Sequence, residues 1–418
     1  MKKVLLITYY WPPSGSASSH WPLAIAKHLP KFGWEPIILT IDEENFSKKD
    51  FSLLKTVPEG VEVIRSKAND PFSFYKSFIG KNKNDLLSSS EVISTENKSL
   101  RHRIAIWIRM NLFVPDARVG WYFSATKMIS KYLESNKIDS VITIGPPHST
   151  HLIGHYIYKK YKIPFYPVLI DPWVNIIYYK NFKRSKLTLW LDNYLERRVL
   201  LDSTNSIFVT KTSESDYIKK YNFLNDKTSV LSWGYNEEDF KNLKQKRKSY
   251  SVILHAGNIF DYQNPKYLWK AISAERKKGI DLRLKFIGTV SPAIKKEIEK
   301  ENLTQVTEYA GFLPFKEIHE EMLNADYLLV CASEPRHVPG KLYEYLRAEK
   351  PIIAFGDNNP EVDGMIMEGN SGKLFPYNYS KKDIFSIVNR CKPDIKTSKK
   401  YSRLTITKEL ANLLNKLK

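Results

Sequence analysis

The sequence predicts an α/β protein of two domains, each an open parallel sheet with helices on both faces. Three observations point there. Short apolar runs alternate with helix-period segments through both halves of the chain. The composition shifts once, around Gly234 to Ser249, to Asn, Glu and a lysine-rich run, Lys241 to Lys248, read as the connection between domains. And 418 residues with 42% hydrophobic content exceed what one ordinary core accommodates.

Taken in order, Val4 to Thr8 reads as a buried strand, and Tyr9 to His20 as a Pro/Ser/Gly loop. A helix over Trp21 to Phe32 follows, stopped by Gly33. Pro36 to Thr40 is the next parallel strand and Val61 to Arg65 a third. The Ser/Asn/Lys-rich stretch Lys81 to Lys98 is an insertion, followed by a basic amphipathic helix over 101–113. Helices at Ala125 to Ser135, Thr150 to Tyr161 and Leu187 to Leu201 alternate with strands at Ser140 to Ile144, Phe165 to Ile170 and Ser206 to Thr210. The second half repeats the pattern with strands at Ser251 to Ala256, Arg283 to Ile287, Tyr327 to Cys331 and Pro351 to Phe355. Helices are expected at Tyr267 to Lys278, Gly340 to Ala348 and Ser398 to Lys418. The domains are therefore 1–235 and 248–397, with the helix of 398–418 packing back on the first.

The formal charge of +20, from 65 Lys plus Arg against 45 Asp plus Glu, favours an anionic partner. Two cysteines, Cys331 and Cys391, cannot build a disulfide framework or a multi-cysteine zinc site, and a reducing cytoplasm fits them. The apolar start is broken by Thr8, Tyr9 and Tyr10 before a signal-peptide core forms, and no run of about 20 apolar residues spans a bilayer. Nucleic-acid binding is disfavoured, because neither a reading motif nor a concentrated basic-aromatic groove is visible.

In open parallel sheets ligands bind at the carboxyl ends of strands, so the strand-to-helix loops carry the candidates. Gly15 and Ser16 offer small residues and amides near a helix N-terminus, suited to a phosphate oxygen; a plain turn is the alternative. The loop has neither G-x-G-x-x-G nor the Walker pattern. Lys341 and Glu344 share the first turn of a helix. A cation there opposes the macrodipole unless an anion sits between, and a diphosphate would supply one. Glu344 can accept both hydroxyls of a ribose; a surface Lys-Glu pair is the alternative. No Asp-x-Asp pair is present to hold a divalent ion.

The runs Tyr9 to Ser16, Phe32 to Pro36, Asp171-Pro172-Trp173 and Pro339 to Leu346 with Lys350-Pro351-Ile352 resemble bacterial family 4 glycosyltransferases. That resemblance implies the GT-B fold: two Rossmann-like domains facing across a cleft. It implies a UDP- or GDP-type sugar donor bound by the C-terminal domain and a glycan or lipid-linked acceptor bound by the N-terminal one. Transfer would retain anomeric configuration, with no cofactor, no metal and no enzyme nucleophile. Gly15 matches the glycine whose backbone approaches the diphosphate, and Glu344 the second glutamate of E-x7-E. Arg336 stands where the first glutamate belongs, with Glu334 nearby, and Gly257-Asn258 stand where a basic pair usually holds the diphosphate. The resemblance further points to His148 near the donor sugar, with a packed or solvated histidine as the alternative; in the absence of an Asp-x-Asp pair, helix N-termini with Lys341 or Arg336 would stabilise the leaving phosphate. Leu342 would join the donor-binding residues, Gly288, Phe312 and Leu313 would lie near the nucleobase, and Trp173 on the acceptor side with Asp171, which, at a strand end before Pro172, can accept from an acceptor hydroxyl or cap the next turn.

Arginines alternating with Ile104, Trp107, Ile108 and Phe113 also suit an anionic membrane surface, with core packing as the alternative. That places the chain in the cytoplasm, peripheral on the inner face of the cell membrane. Two other functions fit the same resemblance: nucleotide-sugar epimerisation and non-catalytic nucleotide-sugar binding.

Overall fold

The computed structural model describes residues 1–68, 100–176, 179, 182–244, 248–332, 334–416. The insertion expected over Lys81 to Lys98 lies outside the described residues.

The chain divides into two compact units, Met1–Ser232 with Thr407–Lys418, and Trp233–Ile406. The first holds a sheet of β1 (Lys2–Thr8), β2 (Trp34–Ile41), β3 (Glu62–Ser66), β4 (Ser140–Gly145), β5 (Phe165–Leu169), β6 (Ser206–Phe208) and β7 (Thr228–Val230). Its strands run parallel in the order β3-β2-β1-β4-β5-β6-β7. The second holds β8 (Ser251–Ala256), β9 (Leu282–Ile287), β10 (Thr307–Gly311), β11 (Tyr327–Cys331), β12 (Ile352–Phe355) and β13 (Gly372–Phe375), parallel in the order β10-β9-β8-β11-β12-β13. Both are doubly wound, Rossmann-like sheets whose direction of winding reverses once, between β1 and β4 and between β8 and β11.

Local chemistry sets the boundaries. Pro30 lacks the amide that would continue the His20–His28 helix, so the chain tightens into the 3-10 turn Leu29–Phe32. Gly33 then closes it at φ +84°, a left-handed cap that glycine adopts without a Cβ clash. β6 ends at Phe208, short of the expected Thr210, because the Thr210 side chain accepts from Ser213 N at 3.2 Å and starts the Lys211–Lys220 helix. In the second sheet successive side chains alternate between two cores. Leu254, Ala256, Leu328 and Val330 lie on one side, and Ile253, Leu329, Cys331, Ile353 and Phe355 on the other.

Gly234 to Ser249, read from sequence as the connection, falls within the second unit, which begins at Trp233. Tyr235 exchanges backbone hydrogen bonds with Tyr401 and Arg403 (3.0 and 2.8 Å), Phe240 is buried in the core, and Arg347 grips Glu237 with two bonds of 2.8 and 2.6 Å. The last helix, Arg403–Lys416, changes unit within itself. Near its end Asn415 accepts from Lys2 Nζ at 2.9 Å.

Candidate functional site

In the second unit the crevice at a reversal of winding lies beyond the carboxyl ends of β8 and β11. Lys341 is brought there by the helix Lys341–Ala348, and its Nζ lies 3.1 Å from Nε2 of His255 near the end of β8. His255 Nδ1 is 3.0 Å from the Leu329 carbonyl, so the ring proton sits on Nδ1 and Nε2 accepts from the ammonium. Burial, reinforced by the Lys341 charge, drives the His255 pKa well below its usual value and keeps the ring neutral. Burial also lowers the Lys341 pKa to about 8, against the opposing pull of Cys331 and Glu344. Among the described residues the ammonium makes this one hydrogen bond, leaving further N–H donors for a ligand.

Gly257 and Gly288 shape the floor. Gly257 has φ +119°, and a Cβ there would lie 2.6 Å from Lys341 Nζ. Gly288 has φ +105°, and a Cβ there would meet the Gly257 carbonyl carbon and oxygen at 2.8 Å. Both positions favour glycine on conformation, and at Gly288 the backbone contact requires it on space as well. Asn258 Oδ1 accepts from Thr289 N at 3.0 Å and ties the two loops together. Beyond β10, Phe312 is 83% exposed, while Leu313 packs against the core.

Glu344, three residues after Lys341, has Oε1 3.7 Å from His319 Nε2. His319 is wholly buried, its Nδ1 donates to the Phe315 carbonyl at 2.8 Å, and the Phe240 and Phe315 rings pack edge-on against it. Burial opposes its charge, but Glu344, the Phe315 carbonyl and Asp239 outweigh it and raise the pKa. Buried Arg403 interacts with Glu344 and Asp239 as well. The carboxylate therefore has a cationic backing.

Leu342 is placed differently from its expected donor-binding role. Its side chain is fully buried and its amide donates to the Pro339 carbonyl at 2.9 Å, so neither group is open to a ligand. Glu334 and Arg336 stand on the loop before the helix, Arg336 exposed and Glu334 half-buried. Asn359 holds that loop by donating to the Glu334 and His337 carbonyls at 2.7 and 2.8 Å.

In the first unit the expected anion loop is engaged internally. Gly15 N donates to the Lys48 carbonyl at 2.9 Å, and Ser16 Oγ accepts from Ser18 N at 3.3 Å. The N-terminus of the Ser149–Tyr161 helix is also occupied. Asp116 accepts from Ser149 N at 2.8 Å and from its Oγ at 2.9 Å. His148 is buried and stacked on Trp173, centroids 5.3 Å apart at 7°. Burial lowers its pKa to about 3, so it is neutral near pH 7. Trp173, expected on the acceptor side, is a core residue: its indole N–H donates to Asp192 at 2.7 Å and its amide to the Tyr217 hydroxyl at 2.8 Å. Asp171 is half-buried at the end of β5. In the helix Leu100–Leu112, Met110 and Asn111 are buried and Arg109 half-buried, whereas Arg103, Ile104, Trp107 and Leu112 are exposed.

His255, His319 and Asp116 were not singled out from the sequence. For His255 the signal was present, a lone titratable residue inside the apolar run Ser251–Ala256.

Residues 236–404 match the family model of glycosyl transferases group 1. The group 1 match spans Lys341, Glu344, His255 and both cradle glycines. No curated protein sequence matches the chain. Solved structures do. Anabaena Alr3699/HepE in complex with UDP-glucose is 14% identical, over 99% of this chain and 100% of that one, with a TM-score of 0.59. S. aureus TarM in complex with Fondaparinux, alpha-GlcNAc-glycerol and UDP is 13% identical over 99% and 100%, TM-score 0.59. Sucrose-phosphate synthase from Thermosynechococcus elongatus is 11% identical over 99% and 95%, TM-score 0.59. Identities this low convey the shared two-domain α/β fold and nothing finer.

Proposed function

We propose that the chain is a glycosyltransferase that takes a sugar from a nucleoside diphosphate and passes it to an acceptor hydroxyl. The observation that carries this reading is the Lys341 ammonium, held by neutral His255 beside two glycines at positive φ, at the switch point of the sheet within the span that matches glycosyl transferases group 1. A diphosphate is the ligand that such a cation at a helix N-terminus suits. Glu344 is the ribose acceptor, and exposed Phe312 a stacking surface for the base. Arg336 adds positive charge from the loop. UDP and UDP-glucose in the TarM and HepE structures favour a uridine donor, with GDP the other candidate.

The chemistry needs no cofactor. As the bond between sugar C1 and the phosphate oxygen breaks, its electrons pass to the diphosphate, whose growing charge Lys341 and Arg336 stabilise. The acceptor oxygen bonds to C1 on the same face, and its proton passes to the departing phosphate, so configuration is retained. The step draws on no metal ion, because Lys341 and Arg336 take up the charge on the departing diphosphate. The acceptor is a glycan or lipid-linked sugar of the cell envelope, met at an anionic membrane surface by a cytoplasmic chain. Among the described residues no helix is long and apolar enough to cross a membrane.

The test is a donor panel of UDP- and GDP-sugars with envelope-derived acceptors, followed by mass spectrometry. Acceptor-dependent release of UDP or GDP with a mass increase of one sugar is the expected result. Conversion of the nucleotide sugar without acceptor would instead indicate epimerisation.

A further inference from the structure

The helix Lys186–Asp202 in the first unit is amphipathic in the unusual sense. Ahead of the buried Val199 and Leu200 its inward face is polar: Thr188, Asp192 and Glu196 are buried at four-residue spacing. Each is satisfied there. Thr188 Oγ1 donates to the Asn111 carbonyl at 3.1 Å, Asp192 accepts from Trp173 and Arg184, and Glu196 accepts from the Tyr217 hydroxyl at 2.9 Å and the Val174 amide at 3.1 Å. The outward face of its first two turns is apolar. Leu187 is 73% exposed, Trp190 63% and Tyr194 48%, with Leu191 between them, the i, i+3, i+4, i+7 spacing of one stripe. The Trp190 and Tyr194 rings stack at 5.9 Å and 14°.

A second helix meets this one end to end. Asn111 of Leu100–Leu112 accepts from the Ser185 amide at 2.6 Å and donates to the Lys183 carbonyl at 3.3 Å, joining the two helix ends. Leu112, 63% exposed, and Trp107, 52% exposed, lie on either side of that junction in sequence. Its charge is one-sided. Arg103, Lys183 and Lys186 are exposed, whereas residues 100–112 and 183–191 contain no Asp or Glu and Asp192 is buried against Arg184.

We infer that the outward faces of these two helices form one surface that docks on an anionic lipid bilayer, with Trp190, Tyr194 and Trp107 at headgroup depth and Lys183, Lys186 and Arg103 against lipid phosphates. Aromatic rings with a polar edge, flanked by cations, suit the bilayer interface. A second copy of the chain fits worse, because a two-fold interface would set this acid-free cationic patch against itself. The inference deepens the membrane part of the proposed function. Vesicle binding and sugar transfer are measured separately, so failure of one is distinguishable from failure of the other.

The experiment is co-sedimentation of the full chain with phosphatidylcholine vesicles, alone or mixed with phosphatidylglycerol, at low and high salt. Wild type should partition onto the mixed vesicles at low salt and leave them at high salt. Leu187→Ser with Trp190→Ser and Tyr194→Ser, and separately Lys183→Glu with Lys186→Glu, should each weaken partitioning about tenfold or more. Phe123→Ser, which removes an exposed ring elsewhere in the unit, should leave it unchanged. Circular dichroism and UDP affinity serve as controls for folding. Equal wild-type binding to neutral and mixed vesicles, no binding to either, or undiminished binding of the triple variant would overturn the inference. So would a lipid-free dimer, seen by sedimentation velocity, that the triple variant abolishes.

Discussion

At the scale of single residues, Lys341 is a cation held at the N-terminus of a helix, where the helix dipole disfavours it. His255 accepts one of its N–H groups, and burial still lowers its pKa to about 8 from an ordinary 10.5. Between these values the unfolded chain binds the proton and the folded chain does not, so this group makes the unliganded protein more stable as pH rises from about 8 toward 10.5. A bound diphosphate favours the ammonium and raises that pKa again, so UDP binding near pH 8.5 is expected to take up a proton. Calorimetry in two buffers of different ionisation enthalpy measures this directly, and buffer-independent heats would show that Lys341 does not meet the diphosphate. Glu344→Ala should weaken UDP or GDP binding by about 1.5–3 kcal/mol through loss of charged hydrogen bonds to the ribose. Unchanged affinity would leave Glu344 a partner of His319 and Arg403 alone. Lys341 and Glu344 were legible because a cation in a first helical turn contradicts local preference. His255 and His319 were less so, since their roles depend on neighbours 86 and 25 residues away that only the fold brings near.

At the scale of elements, the strands that lie deepest were the most legible. Ser251–Ala256 and Tyr327–Cys331 begin and end where the apolar runs do, because both faces of a central parallel strand are buried. The edge strand Thr307–Gly311, half exposed, carries no such run and was not foreseen. The helices Pro292–Lys300 and Pro360–Glu368 also escaped, although Ser291-Pro292 and Asn359-Pro360 pair a capping side chain with proline at the first helical position. The first unit's loops depart furthest from expectation, because residues distant in sequence satisfy their amides: Lys48 for Gly15 and Asp116 for Ser149. Asp116→Ala should cost about 1–2 kcal/mol by uncapping the Ser149–Tyr161 helix. Urea unfolding of the two proteins tests it, and equal midpoints and slopes would show that water or a nearby side chain replaces the carboxylate.

At the scale of the whole molecule, two doubly wound sheets each offer a crevice at a reversal of winding, and their electrostatics differ. In the first unit His148 and His151 are both held neutral by burial, and the adjacent helix N-terminus is occupied by Asp116. In the second an ammonium stands at the crevice with donors to spare, within the span matching glycosyl transferases group 1. In the proposed mechanism protein cations take the part a divalent ion would play, so turnover is expected to persist in excess chelator; activity recovered only on adding magnesium or manganese would contradict that division of labour. The decisive quantity is the affinity of the second unit's site for a diphosphate. Isothermal titration of UDP and of uridine into the wild type and Lys341→Met, which keeps the side chain's length and removes its charge, measures it. UDP affinity should fall at least about tenfold in the variant while the weaker uridine affinity stays the same. Equal UDP affinity in both proteins would contradict a diphosphate site at Lys341.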